Sequence, residues 1–169
     1  MTSAPPPDDA GGSGTPDPLP GPEIGPETGS DPTSSLLLRD QSGTQAMVGY
    51  TVDLRAGDGR ARVFLDITEK HSNRNGMLHG GLMAVLMDAA CGFTASMSFD
   101  DSVHPLQVPV VTVSLTLNHV GGARLGQRVI ATGQATGGGR KITHVTGQLR
   151  DEDGALVATT SGVFRRISG

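Results

Sequence analysis

Aromatic side chains are nearly missing from this chain: its 169 residues include no Trp, one Tyr and four Phe. The core must therefore be filled by Val, Leu, Ile, Ala and Met, and the aromatic platforms on which single-stranded nucleic acid stacks are lacking. One cysteine, Cys91, excludes an internal disulfide and suits a reducing compartment. No basic start followed by an apolar run opens the sequence, so no signal peptide is expected and the protein is read as cytoplasmic. The five His residues fall at no helical spacing, and one Cys supplies no thiolate cluster, so no metal is expected. A Gly-x-Ser-x-Gly elbow is absent, which disfavours a serine hydrolase.

Lys and Arg are absent from residues 1–34, which hold nine of the eleven prolines and six of the seventeen acids. Such a segment cannot bury enough surface to offset its ordering entropy and reads as a disordered Pro/Gly/acidic tail. The overall acidity belongs to this tail and carries no information about a nucleic-acid partner. Residues 35–169 keep eleven acids against thirteen bases and fit a single domain.

Within the domain, Ser34–Arg39 is expected to form a short helical turn and 44–54 a strand. Gly57-Asp58-Gly59 marks a turn before an alternating strand over 60–68. A helix is predicted from about Gly80 to Met97. Four strands follow near 107–119, 127–136, 141–151 and 155–167. Two strands, one long helix and a four-strand meander point to an α+β fold, an antiparallel sheet wrapped on one central helix. The stretch 82–99 is apolar but interrupted by Asp88, Gly92 and other small residues, so it reads as a buried helix rather than a membrane span. At 100° per residue, Leu82, Val85, Leu86, Ala89 and Phe93 share the face expected to pack on the sheet. Gly81, Ala84, Asp88, Gly92 and Ala95 form an opposite, small-residue groove that predicts a dimer contact.

Between Asn75 and Phe99 the only charged residue, with His neutral, is Asp88. A carboxylate in an apolar helix is costly to bury unless paired or hydrogen-bonded, which marks it as a candidate catalytic group. Just upstream, Leu78-His79-Gly80-Gly81 begins the helix and offers backbone N–H groups to a developing oxyanion. Asp88 lies about 12 Å along the axis from Gly80, too far for both to act on one atom within one helix. Antiparallel helices of two subunits would bring one chain's Asp88 toward the other's Gly80. Deprotonation of water by Asp88 and direct attack by its carboxylate are both open.

The run His71…Asn73…Asn75-Gly76-Met77-Leu78-His79-Gly80-Gly81…Asp88 resembles the signature of hotdog-fold acyl-CoA thioesterases of the phenylacetate-degradation (PaaI-like) type. The resemblance covers roughly residues 36–167. It implies an acyl-CoA substrate, no separate cofactor, and a homodimer or homotetramer without nucleic-acid or membrane partners. By the same resemblance the Gly80 N–H polarises the thioester carbonyl and Asp88 is base or nucleophile across the dimer interface. Asn73 holds the attacking water, His79 shapes the oxyanion loop, and Thr112 supplies a hydroxyl that assists Asp88. Where many members carry an aromatic-Arg-Pro segment, this chain has Asn118-His119-Val120-Gly121-Gly122.

Gly138, Gly139, Arg140 and Lys141 form a glycine-rich turn with a basic exit that could cradle coenzyme A phosphates, with Arg124 as a further contact. A plain hairpin turn is the competing reading. On the same fold, an enoyl-CoA hydratase or a non-catalytic acyl-CoA-binding regulator are alternatives; the His-Gly-Gly helix start argues for hydrolysis.

Overall fold

The computed structural model describes residues 36–99 and 108–167. The segment expected to be a tail, and Ser34 and Ser35 of the expected helical turn, lie outside the described residues. In chain order the elements are β1 (Leu37–Leu38), α1 (Gly43–Val48), β2 (Thr51–Asp53), β3 (Arg62–Asp66), α2 (Gly80–Ser98), β4 (Val110–His119), β5 (Arg128–Gly138), β6 (Ile142–Asp151) and β7 (Leu156–Arg166). The strands form one antiparallel seven-stranded sheet in the order β1-β2-β3-β5-β6-β7-β4. The crossover from β3 through α2 carries β4 to the far edge of the sheet. This is the expected α+β layout, and the four late strands fall within three residues of their expected bounds.

Two local expectations fail. Residues 37–38 pair with β2 as a strand instead of a helical turn. The expected strand over 44–54 is instead α1, and only its end is a strand. The reason was legible: Ser42 accepts the Gln45 N–H at N-cap and N3 spacing, 3.2 Å. Gly49 then closes the helix in the left-handed conformation (φ 85°), donating its N–H to the Gln45 carbonyl.

The seat of α2 also differs from the helical-wheel reading. The buried side is Met83, Leu86, Met87, Ala90, Cys91 and Thr94, and Ala95 is buried too. Leu82, Val85, Ala89 and Phe93 are only half-buried at its flank. Close contact decides this. A Cβ on Gly133 would lie 2.5 Å from Thr94 Oγ1 and 2.7 Å from the Ala90 carbonyl, and one on Gly147 would lie 2.9 Å from Cys91 Sγ. Two sheet glycines thus admit the small side of the helix. Thr94 Oγ1 fastens it by accepting the buried Ala61 N–H at 3.0 Å. The small-residue groove is therefore partly spent on the sheet and gives no independent ground for a dimer. By length and composition α2 is apolar enough to cross a bilayer, with a mean hydropathy of 1.3; in this fold its buried side is the core of the sheet.

Gln45, 2% exposed, ties β1, α1 and β2 together. Its Nε2 donates to the Leu38 and Tyr50 carbonyls at 2.8 and 3.1 Å, and its Oε1 accepts the Gln41 N–H at 3.0 Å. Gln45→Leu keeps the volume but strands two buried carbonyls, and is expected to destabilise by about 2–4 kcal/mol. Urea unfolding would read this as a lower midpoint at unchanged m-value.

Candidate active site

The N-terminus of α2 is capped so that one donor stays open. His79 Nδ1 accepts the Gly81 N–H at 3.0 Å, and the His79 carbonyl takes the Leu82 and Met83 N–H groups. The Gly80 N–H has no acceptor among the described residues. His79 thus acts as N-cap, and it leaves Gly80 as the free donor at the positive end of the helix dipole. The loop before it is held by His71, which is buried. Its Nδ1 accepts the Thr68 N–H, so Nε2 carries the hydrogen and donates to the Val48 carbonyl at 2.8 Å.

Two turns further on, Asp88 is half-buried and meets no cation in any ion pair among the described residues. Its Oδ1 accepts the Thr112 hydroxyl at 2.7 Å. Thr112, expected from the family resemblance, is thus brought directly to the acid. The pair borders a cavity of about 580 Å³ between α1, α2, β4 and β7, whose lining includes Tyr50, Val85, Phe93 and Phe164. Tyr50 was not singled out from the sequence, although it is the sole Tyr. Burial pushes its phenol up, its hydrogen bond with Ser42 pulls it back, and the Asp88 charge raises it further. The hydroxyl therefore stays protonated beside the acid.

β4 serves both ends of the site because of an irregularity. Thr112 pairs with Phe164 but Ser114 pairs with Val163, so Val113 is an extra residue and the register shifts. Alternation alone would set Thr112 and His119, seven residues apart, on opposite faces. The bulge restores them to the helix side. There His119 lies over Gly80: a Cβ on Gly80 would lie 3.3 Å from His119 Cε1 and 3.6 Å from Nε2. His119 Nδ1 is 3.2 Å from Met83 Sδ.

The remaining candidates separate. Asn73 Oδ1 accepts the Asn75 and Met77 N–H groups at 2.9 and 3.2 Å, so its side-chain oxygen builds the turn before α2. Gly138, Gly139, Arg140 and Lys141 form the exposed β5–β6 hairpin, where a Cβ on Gly138 would strike the Ile142 carbonyl at 2.5 Å. Strand packing alone accounts for that glycine. Arg124 sits beside Met77, near the start of α2. The length of β5 separates it from Lys141 by roughly 35 Å, so within one chain these bases do not form one cluster. Among the described residues no group of three His, Cys, Asp or Glu side chains could hold a metal.

Burial, then the Asp88 charge, pushes the Cys91 thiol up to about 12. The thiolate form is therefore suppressed at any pH near neutrality. Native protein at pH 8 is expected to resist Ellman's reagent over a period in which a urea-unfolded sample reacts fully. Rapid native labelling would show that α2 is not seated on Gly147.

Known proteins match this architecture. The thioesterase superfamily model matches residues 75–158. The Pseudomonas aeruginosa protein PA0474, an esterase by name, is 36% identical over 102 residues, 60% of this chain and 72% of that protein. PaaI from the phenylacetic acid degradation operon of E. coli superposes with a TM-score of 0.64 at 20% identity, over 76% of this chain and 87% of that one. The smu.793 protein of Streptococcus mutans, bound to acetyl CoA, gives a TM-score of 0.56 at 22% identity, over 65% of this chain and 82% of that one. The sheet wrapped on a single long helix agrees with these matches: the chain belongs to the thioesterase superfamily and is a thioester hydrolase of hotdog fold.

Proposed function

We propose that the protein hydrolyses an acyl-CoA thioester at a site shared by two copies of the chain. The observation that carries this is the Asp88–Thr112 hydrogen bond at the edge of the cavity. An acid oriented by one hydroxyl on Oδ1, with no cation paired to it among the described residues, keeps Oδ2 for a water. Asp88 takes a proton as that water attacks the thioester carbon. The developing oxyanion is met by a Gly80 N–H and the helix dipole. Collapse breaks the C–S bond and releases the acid, and the leaving thiolate takes the proton held by Asp88 to depart as the coenzyme A thiol, which restores the carboxylate. The acyl group occupies the cavity beside Asp88.

One chain cannot complete this reaction, because its own Gly80 is about 12 Å from Asp88 along the helix. Strand β4 supplies the join. It pairs only with β7 among the described residues and leaves Val111 and Val113 exposed at 37% and 57%. A long apolar edge is a template for another strand. Full-length antiparallel pairing of Val110–His119 with a second copy sets Thr112 across from the partner's Leu117. Each Asp88–Thr112 end then meets the partner's Gly80 end. The acetyl CoA held by the S. mutans protein of like fold supports this choice of substrate class.

Thiol release from short, long and aryl acyl-CoA esters is the first test. Asp88→Asn is expected to lower kcat by roughly 10²–10⁴-fold; an active variant would remove Asp88 from the chemistry. Turnover in ¹⁸O-water leaves Asp88 unlabelled when it is a base, whereas label in Asp88 marks direct attack followed by hydrolysis at its own carbonyl. For the shared site, Asp88→Asn and Gly80→Val chains, each inactive alone, should regain about a quarter of parental activity when reassociated together. Light scattering should find a dimer, and Val113→Lys should dissociate it with loss of activity.

A further inference from the structure

The cavity beside Asp88 is unevenly lined. Val85, Ala89 and Phe93 from α2, Val110 from β4 and Phe164 from β7 are apolar. The Ser96 hydroxyl, also in the lining, is spent on the Val108 carbonyl at 2.7 Å. Asp88 is the only charged residue among the described ones that line the cavity, and no Lys, Arg or His joins it. Ser42 and Tyr50 enter from the side of α1. Tyr50 is only 7% exposed, and Gln45 Nε2 fixes its backbone by donating to its carbonyl at 3.1 Å. The clamp that ties α1 to β2 therefore also sets the position of the phenol.

The hydrogens of this pair can be counted. Among the described residues the Tyr50 hydroxyl has one hydrogen-bond partner, Ser42, whose Oγ already accepts the Gln45 N–H at 3.2 Å. Two hydroxyls carry two hydrogens, and one of these suffices to join the pair. With the Ser42 hydrogen turned to Tyr50 Oη, the Tyr50 hydrogen is uncommitted, and the Asp88 charge favours its pointing into the cavity. A buried donor of this kind gains from any acceptor that a ligand brings. A carboxylate is excluded as that acceptor, because it would share a cation-free cavity with Asp88.

We propose that Tyr50, backed by Ser42, is a specificity-determining residue, and that the preferred acyl group carries an uncharged oxygen, a hydroxyl or oxo group away from the thioester, which accepts the Tyr50 hydrogen. This rests on the reading that the acyl group occupies the cavity beside Asp88. The preference is moderate in size, because Tyr50 returns its hydrogen to Ser42 when the acyl group is plain.

The test compares each ester that the parent hydrolyses with counterparts bearing a hydroxyl or oxo group at successive carbons of the same acyl skeleton, and with one ending in a carboxylate. For the best-placed oxygen, kcat/KM should exceed that of the plain ester by about tenfold, and the carboxylate-ended ester should fall below the plain one. Tyr50→Phe keeps the ring and removes the donor; it should bring the ratio of oxygenated to plain ester to within threefold of unity. A parent that gains from oxygen at no position, or that prefers the carboxylate-ended ester, would overturn the proposal without recourse to any variant. An undiminished ratio in Tyr50→Phe would do so equally. Failure of the underlying reading looks different: there the parent releases no thiol from any ester, or Asp88→Asn remains fully active.

Discussion

The closeness with which α2 can lie on the sheet governs everything else in this molecule. Gly133 and Gly147 leave no side chain between strand and helix, and Thr94 and Cys91 fill the space that results. Once those contacts are made, the rotation of the helix is fixed. A turn of one residue, about 100°, would carry Asp88 toward the core, where an unpaired carboxylate costs several kcal/mol. Seated as it is, the helix keeps Asp88 half-exposed at the cavity, with Val85 and Phe93 beside it as apolar lining. Contact distance between small groups outweighs the grouping of large apolar residues in selecting the buried face.

The chain then presents two chemically unlike ends along one helix. At one end a capped N-terminus leaves a single free amide under an imidazole ring. At the other a carboxylate is aimed by a hydroxyl. In the proposed dimer a two-fold axis through β4 supplies what each end lacks, so neither needs a long loop to reach the other. The arrangement ties chemistry to assembly, because the strand that carries Thr112 and His119 is also, among the described residues, the one left open at that sheet edge.

Much of this was legible in the sequence. The isolated acid Asp88 and the His-Gly-Gly helix start locate the two ends, and alternating residues place the four late strands. Thr112 was named through the family resemblance, and the structure joins it to Asp88. The misses have physical causes. Helix α1 was hidden because its apolar residues are few, although the Ser42–Gln45 spacing and Gly49 were there to be read. The buried face of α2 was misassigned because a wheel counts hydrophobicity and ignores how near two backbones can come. Arg124 and the Arg140–Lys141 turn were grouped by charge, whereas β5 holds them at opposite ends of the sheet. His119 was noted only within a segment that departs from the family pattern, because its partners, Gly80 and Met83, lie more than thirty positions earlier in the chain.

A β-strand addresses its side chains by parity: even positions look one way and odd positions the other. The extra residue at Val113 resets that count partway along β4. Spacing along this strand therefore has two meanings, one before the bulge and one after it. In a relative whose strand runs without the bulge, the residue seven places beyond the hydroxyl faces solvent, and the functional neighbour is six or eight places away. Alignments that match position alone across this strand will equate residues on opposite sides of the sheet.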